Sequence, residues 1–288
     1  MPLDQIDVDT HDEHEMSFLD HLEELRWHIL RSVVAVAVIA LACFGFQGWI
    51  FDTVIFGPRH PNFATYVVTC WLSRTLGLGN GICLEPVKFE AQTTEMGEAF
   101  LLSMTVSLVL GFIVAFPYVF WEFWRFISPG LRMSERRRAS SIIFWSSLLF
   151  FIGVLFGYFV VAPFGINFLT GYEIPGVVNQ PKLASYVNYL ILFVLPMGIV
   201  FELPLLTFFL AQLSIVTAKL MRSVRRYAVV IILLVAGIIT PGPDIVSQLL
   251  VGIPLYALYE VSIIVAMRVE RRRRLAGLAV ETTDDDTV

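Results

Sequence analysis

Between two apolar stretches lies FISPGLRMSERRRAS, Phe126 to Ser140, in which four arginines, Arg132, Arg136, Arg137 and Arg138, surround a single acid, Glu135. A carboxylate can accept two parallel N–H bonds from a guanidinium, and such charge-assisted bonds are stronger than neutral ones. Glu135 is therefore either neutralised within its own loop, by Arg132 or Arg138, or free to receive a guanidinium from elsewhere. A second polar cluster, FLDHLEELRWHIL at Phe18 to Leu30, contains Glu24 and Arg26. Phe18, Leu22, Leu25 and Ile29 in it form one stripe of an amphipathic helix. Glu24 and Arg26 leave that stripe for other faces, either as solvated charges of an interfacial helix or as binding groups.

Glu202 is the third anomaly, an acid between Pro196 and Pro204 inside an apolar run. An acid at membrane depth costs about 2.5 to 3.5 kcal/mol on insertion scales, so it is retained for a function or kept neutral by hydrogen bonds within the bundle. Ser247 and Gln248 are polar in a similar apolar context, whereas Glu260, in YALYE near the end of the last apolar run, reads as a side chain snorkelling toward water.

Catalytic chemistry has no carrier. The chain contains no Walker A loop, no glycine-rich nucleotide fingerprint and no G-x-S-x-G elbow. His11, His14, His21 and His28 lie before or at the first apolar segment, and His60 follows it. The reading is a protein that is not an enzyme and takes no cofactor. His11 and His14 in HDEH could ligate a metal only if their polar tail were ordered, and its composition argues for disorder. The basic loops lack interleaved aromatics, so they fit lipid headgroups and not nucleic acid.

The elements that must position these residues follow from composition. Of 288 residues 57% are hydrophobic and only 16% charged, and the mean hydropathy is +0.73, which identifies a polytopic membrane protein. Against a formal net charge of −5, much of the acid sits in two tails, Leu3 to Glu15 and Glu281 to Val288, both reading as solvated and disordered. The acidic start and the late first apolar segment argue against a cleavable signal peptide. A span needs roughly 20 apolar residues, and candidates run Ile29 to Ile50, Phe100 to Phe123, Ile142 to Pro163 and Tyr186 to Leu210. Tyr227 to Ile239 and Ile245 to Met267 follow, separated by TPGPD at Thr240 to Asp244. The fifth segment is short, about 20 Å of helix at about 1.5 Å per residue, and crosses only with local thinning.

Six spans put both termini on one side. Arg125, Arg132 and Arg136 to Arg138 lie in the second loop, Lys219, Arg222, Arg225 and Arg226 in the fourth, and Arg268 and Arg271 to Arg274 after the last span. The opposite face holds Arg59, Arg74, Lys88 and Lys182, so the termini are expected in the cytoplasm. Pro117, Pro163, Pro196, Pro204 and Pro254 each remove a backbone donor and favour a kink. No internal repeat is visible. The expected fold is an all-α integral membrane bundle of six transmembrane helices, kinked and concave. It spans residues 18–268, after a disordered acidic tail (1–17) and before a basic then acidic cytoplasmic tail (269–288).

HLEELRWHIL before the first span, FISPGLRMSERRR after the second, FELPLL in the fourth, and TPGPDIVSQ with IPLYALYE in the last hairpin resemble, in order, the TatC family. That family is the multispanning receptor of the twin-arginine protein translocase, and the resemblance covers Phe18 to Arg268. It departs from the family pattern in a long first external loop, Asp52 to Gly97, with two cysteines and a glycine-rich middle, LGLGNGIC.

The resemblance implies a core subunit in the bacterial inner membrane. Such a subunit binds twin-arginine signal peptides on its cytoplasmic face and recruits TatA/TatB-type single-span partners to export folded proteins. It is a homo-oligomer within its complex, contacts membrane lipids, binds no nucleic acid and is driven by the proton gradient. Glu24 and Glu135 then match the signal-binding acids, with Arg26 beside the first. Glu202 matches the membrane-embedded polar position, and Ser247 and Gln248 belong to the partner-binding region. Because an exposed ion pair contributes only about 0 to 1 kcal/mol, preference for two arginines over two lysines needs partly shielded, fixed acids. A proton-coupled secondary transporter using Glu202 as its ion site is the alternative. Cys70 and Cys83 fall in the oxidising external space of such a membrane, and a bridge between them closes about 14 residues, worth roughly 3 kcal/mol. Cys43, inside the first span, reads as a small packing residue.

Overall fold

Long apolar runs satisfy their own backbone groups only by becoming helical, and the described apolar runs of this chain do so. The computed structural model describes residues 18–75, 77, 83–84, 86, 92–127, 139–171, 181–240 and 245–285. Its longer helices are α1 (Phe18–Gly45), α2 (Ala64–Thr75), α3 (Glu98–Ile127), α4 (Ala139–Phe156), α5 (Ala162–Gly171), α6 (Leu183–Val200), α7 (Leu203–Gln212), α8 (Ala218–Ser223), α9 (Arg225–Ile239) and α10 (Ile245–Asp285). Among the described residues the only β pairing is an isolated bridge between Gln92 and Lys182.

Among the described residues, five helical stretches are long and apolar enough to cross a membrane: Glu23–Gly45, Glu98–Ile127, Ser141–Gly171, Leu183–Gln212 and Gln248–Arg273. The fifth segment of the sequence reading, α9, is a helix of 15 residues. At about 1.5 Å per residue it is roughly 22 Å long, short of a bilayer core. Two of the five stretches are interrupted. Gly157–Val161 forms a π-helical turn between α4 and α5, with Pro163 just beyond it, and a single π turn is a recognised cause of a kink. The other break, at Phe201 and Glu202, separates α6 from α7, where Pro204 occupies the first turn. Pro117, Pro196 and Pro254 lie inside α3, α6 and α10.

Helix contacts depend on small residues, as expected where lipid removes any hydrophobic drive for one helix to seek another. A Cβ on Gly111 of α3 would stand 2.8 Å from the Ala40 nitrogen of α1, and one on Gly157 would stand 2.6 Å from the Phe193 carbonyl oxygen of α6. Gly153, one turn earlier, faces the Met197 carbonyl in the same way. Around this crossing Phe150, Val187, Phe193 and Met197 are fully buried, and the Phe116 and Phe150 rings stack with centroids 3.6 Å apart. The outward faces keep large apolar side chains exposed, among them Val38, Leu41, Leu108 and Ile238, as a lipid-facing surface requires.

At the end of the bundle where α1 finishes, the chain continues as a π-helical turn, Phe51–Ile55, and a 3-10 turn, Gly57–Arg59. Three tyrosine hydroxyls satisfy its carbonyls: Tyr158 donates to Val54 at 2.7 Å, Tyr186 to Ile55 at 2.6 Å and Tyr66 to Pro58 at 2.6 Å. Val54, Phe63, Leu110, Ile113, Val154 and Val194 are among the residues around an open, mostly apolar concavity of about 530 Å³ beside this segment. Cys70 of α2 is joined to Cys83 by a disulfide. A membrane-impermeant maleimide is accordingly expected to label neither cysteine before reduction and both afterwards, read by mass shift. Labelling without reductant would contradict the bridge.

Two readings of the sequence need correction. The acidic C-terminal segment was expected to be disordered, but α10 runs unbroken to Asp285. Its Ala, Leu, Arg and Glu residues are good helix formers, and its middle is fastened sideways. Glu270 accepts from the Ala218 backbone N–H at 2.7 Å, and Arg273 donates to the Ala211 carbonyl at 3.4 Å and to Ser214. Glu260 does not simply snorkel. Its carboxylate accepts from Arg225 of α9 at 2.7 Å and from Tyr256 at 2.9 Å, so it pairs the last two helices.

Candidate functional site

α1 and α3 run side by side and antiparallel, which brings the start of α1 against the end of α3. Glu24 and His28 are one turn apart on α1, the spacing that stacks two side chains on one face. On α3, Tyr118 and Glu122 have the same spacing. The two pairs join across the helix contact. His28 Nδ1 lies 2.5 Å from Glu122 Oε2, and Tyr118 donates its hydroxyl to Glu122 Oε1 at 3.0 Å. On its other side His28 Nε2 lies 3.9 Å from Glu24 Oε1.

Burial falls along this chain toward solvent. Glu122 is 1% exposed and His28 7%, while the Glu24 side chain retains 37% of its surface. The Phe126 ring meets the His28 ring edge-on at 6.3 Å. A buried acid is tolerated only when paired and hydrogen-bonded, and Glu122 has both an imidazole and a phenol. Glu24 is thus a part-exposed acid at a rim, close to one fixed nitrogen. Arg26 points away on an exposed face, its guanidinium 6.0 Å from the neighbouring Trp27 ring.

Glu135, with Arg132 and Arg136 to Arg138, lies outside the described residues, as do His11 and His14. Glu135 follows α3 in the chain, and α3 ends at Ile127, little more than a turn after Glu122. Glu202 sits at the break between α6 and α7, part-buried, and both its oxygens accept from Ser146 of α4 at 3.0 Å. The residues around the concavity do not include it. Gln248 donates to the Leu233 carbonyl at 2.9 Å, across the hairpin of α9 and α10. The Ser247 side chain is outside the description.

The structure therefore brings Glu24 together with two residues the sequence reading did not group with it, His28 and Glu122. Glu122 had a signal in the sequence, because an acid in YVFWEFWRF, within an apolar run, carries the same insertion cost that drew attention to Glu202. Its partner had none, since His28 is 94 residues away.

Residues 20–254 match the model of the family described as TatC, Sec-independent protein translocase protein. The chain is 34% identical over 264 residues to the Sec-independent protein translocase protein TatC of Blattabacterium sp. subsp. Periplaneta americana, covering 91% of this chain and 99% of that one. It is likewise 34% identical over 255 residues to the protein of the same name from Desulforapulum autotrophicum, covering 88% and 86%. A crystal structure of the twin arginine translocase receptor TatC superposes with a TM-score of 0.64 at 29% identity, over 87% of this chain and 99% of that one.

Proposed function

Because this chain belongs to the TatC family of Sec-independent protein translocase proteins, we propose that it is the signal-receptor subunit of a twin-arginine translocase. In this reading it crosses a bacterial inner membrane six times, α9 being the short fifth crossing, with both termini in the cytoplasm. The basic end of the bundle, with Arg125, Lys219, Arg222, Arg225, Arg226 and Arg268, is then cytoplasmic. Glu24 and Glu135 receive the two guanidinium groups of a signal peptide, with Arg26 at the edge of the site. The protein catalyses no covalent step. It binds, and it recruits TatA/TatB-type single-span helices near Glu202, Ser247 and Gln248, while the proton gradient supplies the free energy for export.

The observation that supports this reading best is the state of Glu24, a rim carboxylate beside a buried, hydrogen-bonded His28. A fixed, part-shielded acid can discriminate between a forked guanidinium and a point-charge ammonium, which a freely rotating surface acid cannot do. The test is crosslinking of a twin-arginine signal peptide to membranes containing this chain, against a twin-lysine control. Strong labelling by the arginine peptide alone is expected, and equal labelling by both would sink the reading. The partner site separates from it. Glu202→Ala should keep signal crosslinking close to the wild-type level yet weaken co-purification of single-span subunits, because among the described residues its hydrogen-bond donor is Ser146 of α4, not a group beside Glu24. Loss of signal binding at wild-type protein levels would contradict that separation.

A further inference from the structure

His28 has one ring nitrogen on a buried carboxylate and the other facing the rim acid. A histidine serving only to clip α1 to α3 needs the first contact and has no use for the second. The clip itself is over-determined. Glu122 is held on one oxygen by the Tyr118 hydroxyl and on the other by His28, and Phe126 closes the edge of the imidazole. His28 can therefore neither swing nor shift without breaking buried contacts, and Nε2 is a fixed point 3.9 Å from Glu24 Oε1.

Glu24, by contrast, is a flexible side chain on a helix surface. Left alone it would sample several rotamers, and a ligand would have to order it on binding. Attraction to a fixed nitrogen on one oxygen selects a rotamer and leaves the other oxygen to accept from a ligand.

Resting on the reading that Glu24 receives an arginine of the signal, we propose that His28 and Glu122 are positioning residues for that acid. They hold the Glu24 carboxylate in the orientation that accepts a guanidinium, and so set the preference for arginine over lysine at this position. Neither touches the peptide. The buried pair acts through Glu24 alone, which gives it a signature that a purely structural clip lacks.

The amide nitrogen of an asparagine side chain takes the place of an imidazole Nδ1. His28→Asn therefore keeps the donor to Glu122, and with it the tie between α1 and α3, but has no atom where Nε2 faced Glu24. The experiment measures affinity of a twin-arginine signal peptide and of its twin-lysine variant for the purified full-length chain. Wild type, Glu24→Gln, His28→Asn and the double variant are compared, with Glu122→Gln as a second probe that keeps size and an acceptor oxygen. His28→Asn is expected to weaken the arginine peptide about tenfold, as for loss of one charge-assisted bond, and to narrow the arginine-to-lysine ratio. In the Glu24→Gln background it should change nothing further. Glu122→Gln should show the same dependence on Glu24 with a smaller loss, and it bears the test alone if His28→Asn does not fold.

Wild-type affinity and ratio in the folded His28→Asn or Glu122→Gln chain would overturn the proposal and leave a clip. An equal loss with and without Glu24 would overturn it too. If Glu24→Gln itself binds the arginine peptide like wild type, it is the receptor reading that fails, and that outcome is distinct from both.

Discussion

A chain carrying Glu135→Arg should bind a twin-arginine signal peptide worse than one carrying Glu135→Gln, and both worse than wild type. Glutamine keeps the size of the side chain while removing the anionic acceptor. Arginine adds repulsion from Arg132, Arg136, Arg137 and Arg138 on the same short segment. Losing one charge-assisted pair is worth about 1.5 to 3 kcal/mol, on the order of tenfold to a hundredfold in affinity. If both acids grip one ligand, Glu24→Gln with Glu135→Gln should cost less than the sum of the single changes. The informative arm is a rescue, in which a signal peptide with an acid in its arginine pair should regain some binding to the Glu135→Arg chain. Peptide crosslinking at the wild-type level in every single variant, with only membrane abundance reduced, would make Glu135 a topological ion pair and place the receptor site elsewhere.

Gly157→Leu should abolish accumulation of folded protein. The position lies at the start of the π turn between α4 and α5, where any Cβ would be 2.6 Å from the Phe193 carbonyl oxygen and 2.8 Å from Val194 Cα. Both are backbone atoms of α6 and cannot rotate aside, so relief requires the two helices to separate. Phe150, Phe193 and Met197, all fully buried, lie at that crossing. Overpacking costs about 1 to 3 kcal/mol where side chains can adjust, and here they cannot, so an effect above about 3 kcal/mol is expected. The measurement is the monodisperse fraction after detergent extraction, followed by its melting temperature. Gly48→Leu is the control, because a Cβ there meets nothing within 4 Å. Equal yields of the two variants would show that the α4 and α6 contact is looser than described.

How much of this was legible in the sequence depends on whether a property belongs to one segment or to a pair. The apolar runs, the proline breaks around Glu202 and the basic residues between runs are properties of single segments. Transfer of a helix into lipid is a free energy that each segment carries by itself. The all-helical class and the outlines of the long spans therefore follow from residue order alone, as does the short fifth segment. Glu24 and Glu202 stood out for a related reason, since an acid beside or within an apolar run is costly wherever the other helices lie.

What the tertiary structure decided are the pairings, and these depend on how each helix is rotated about its axis and which neighbour it meets. Hydropathy does not encode that rotation, because lipid and protein interior are equally apolar and both faces of a span look alike. So His28 meets Glu122 from 94 residues away, Glu260 is bound by Arg225, and Ser146 finds Glu202. Gly153 and Gly157 acquire their meaning only when α6 is laid against them. The chain alone determined that Glu24 would be a charged residue at a membrane edge. Only the antiparallel contact of α1 with α3 decided that a fixed imidazole stands behind it, because a hydrogen bond needs two partners in one place and residue order specifies the place of neither.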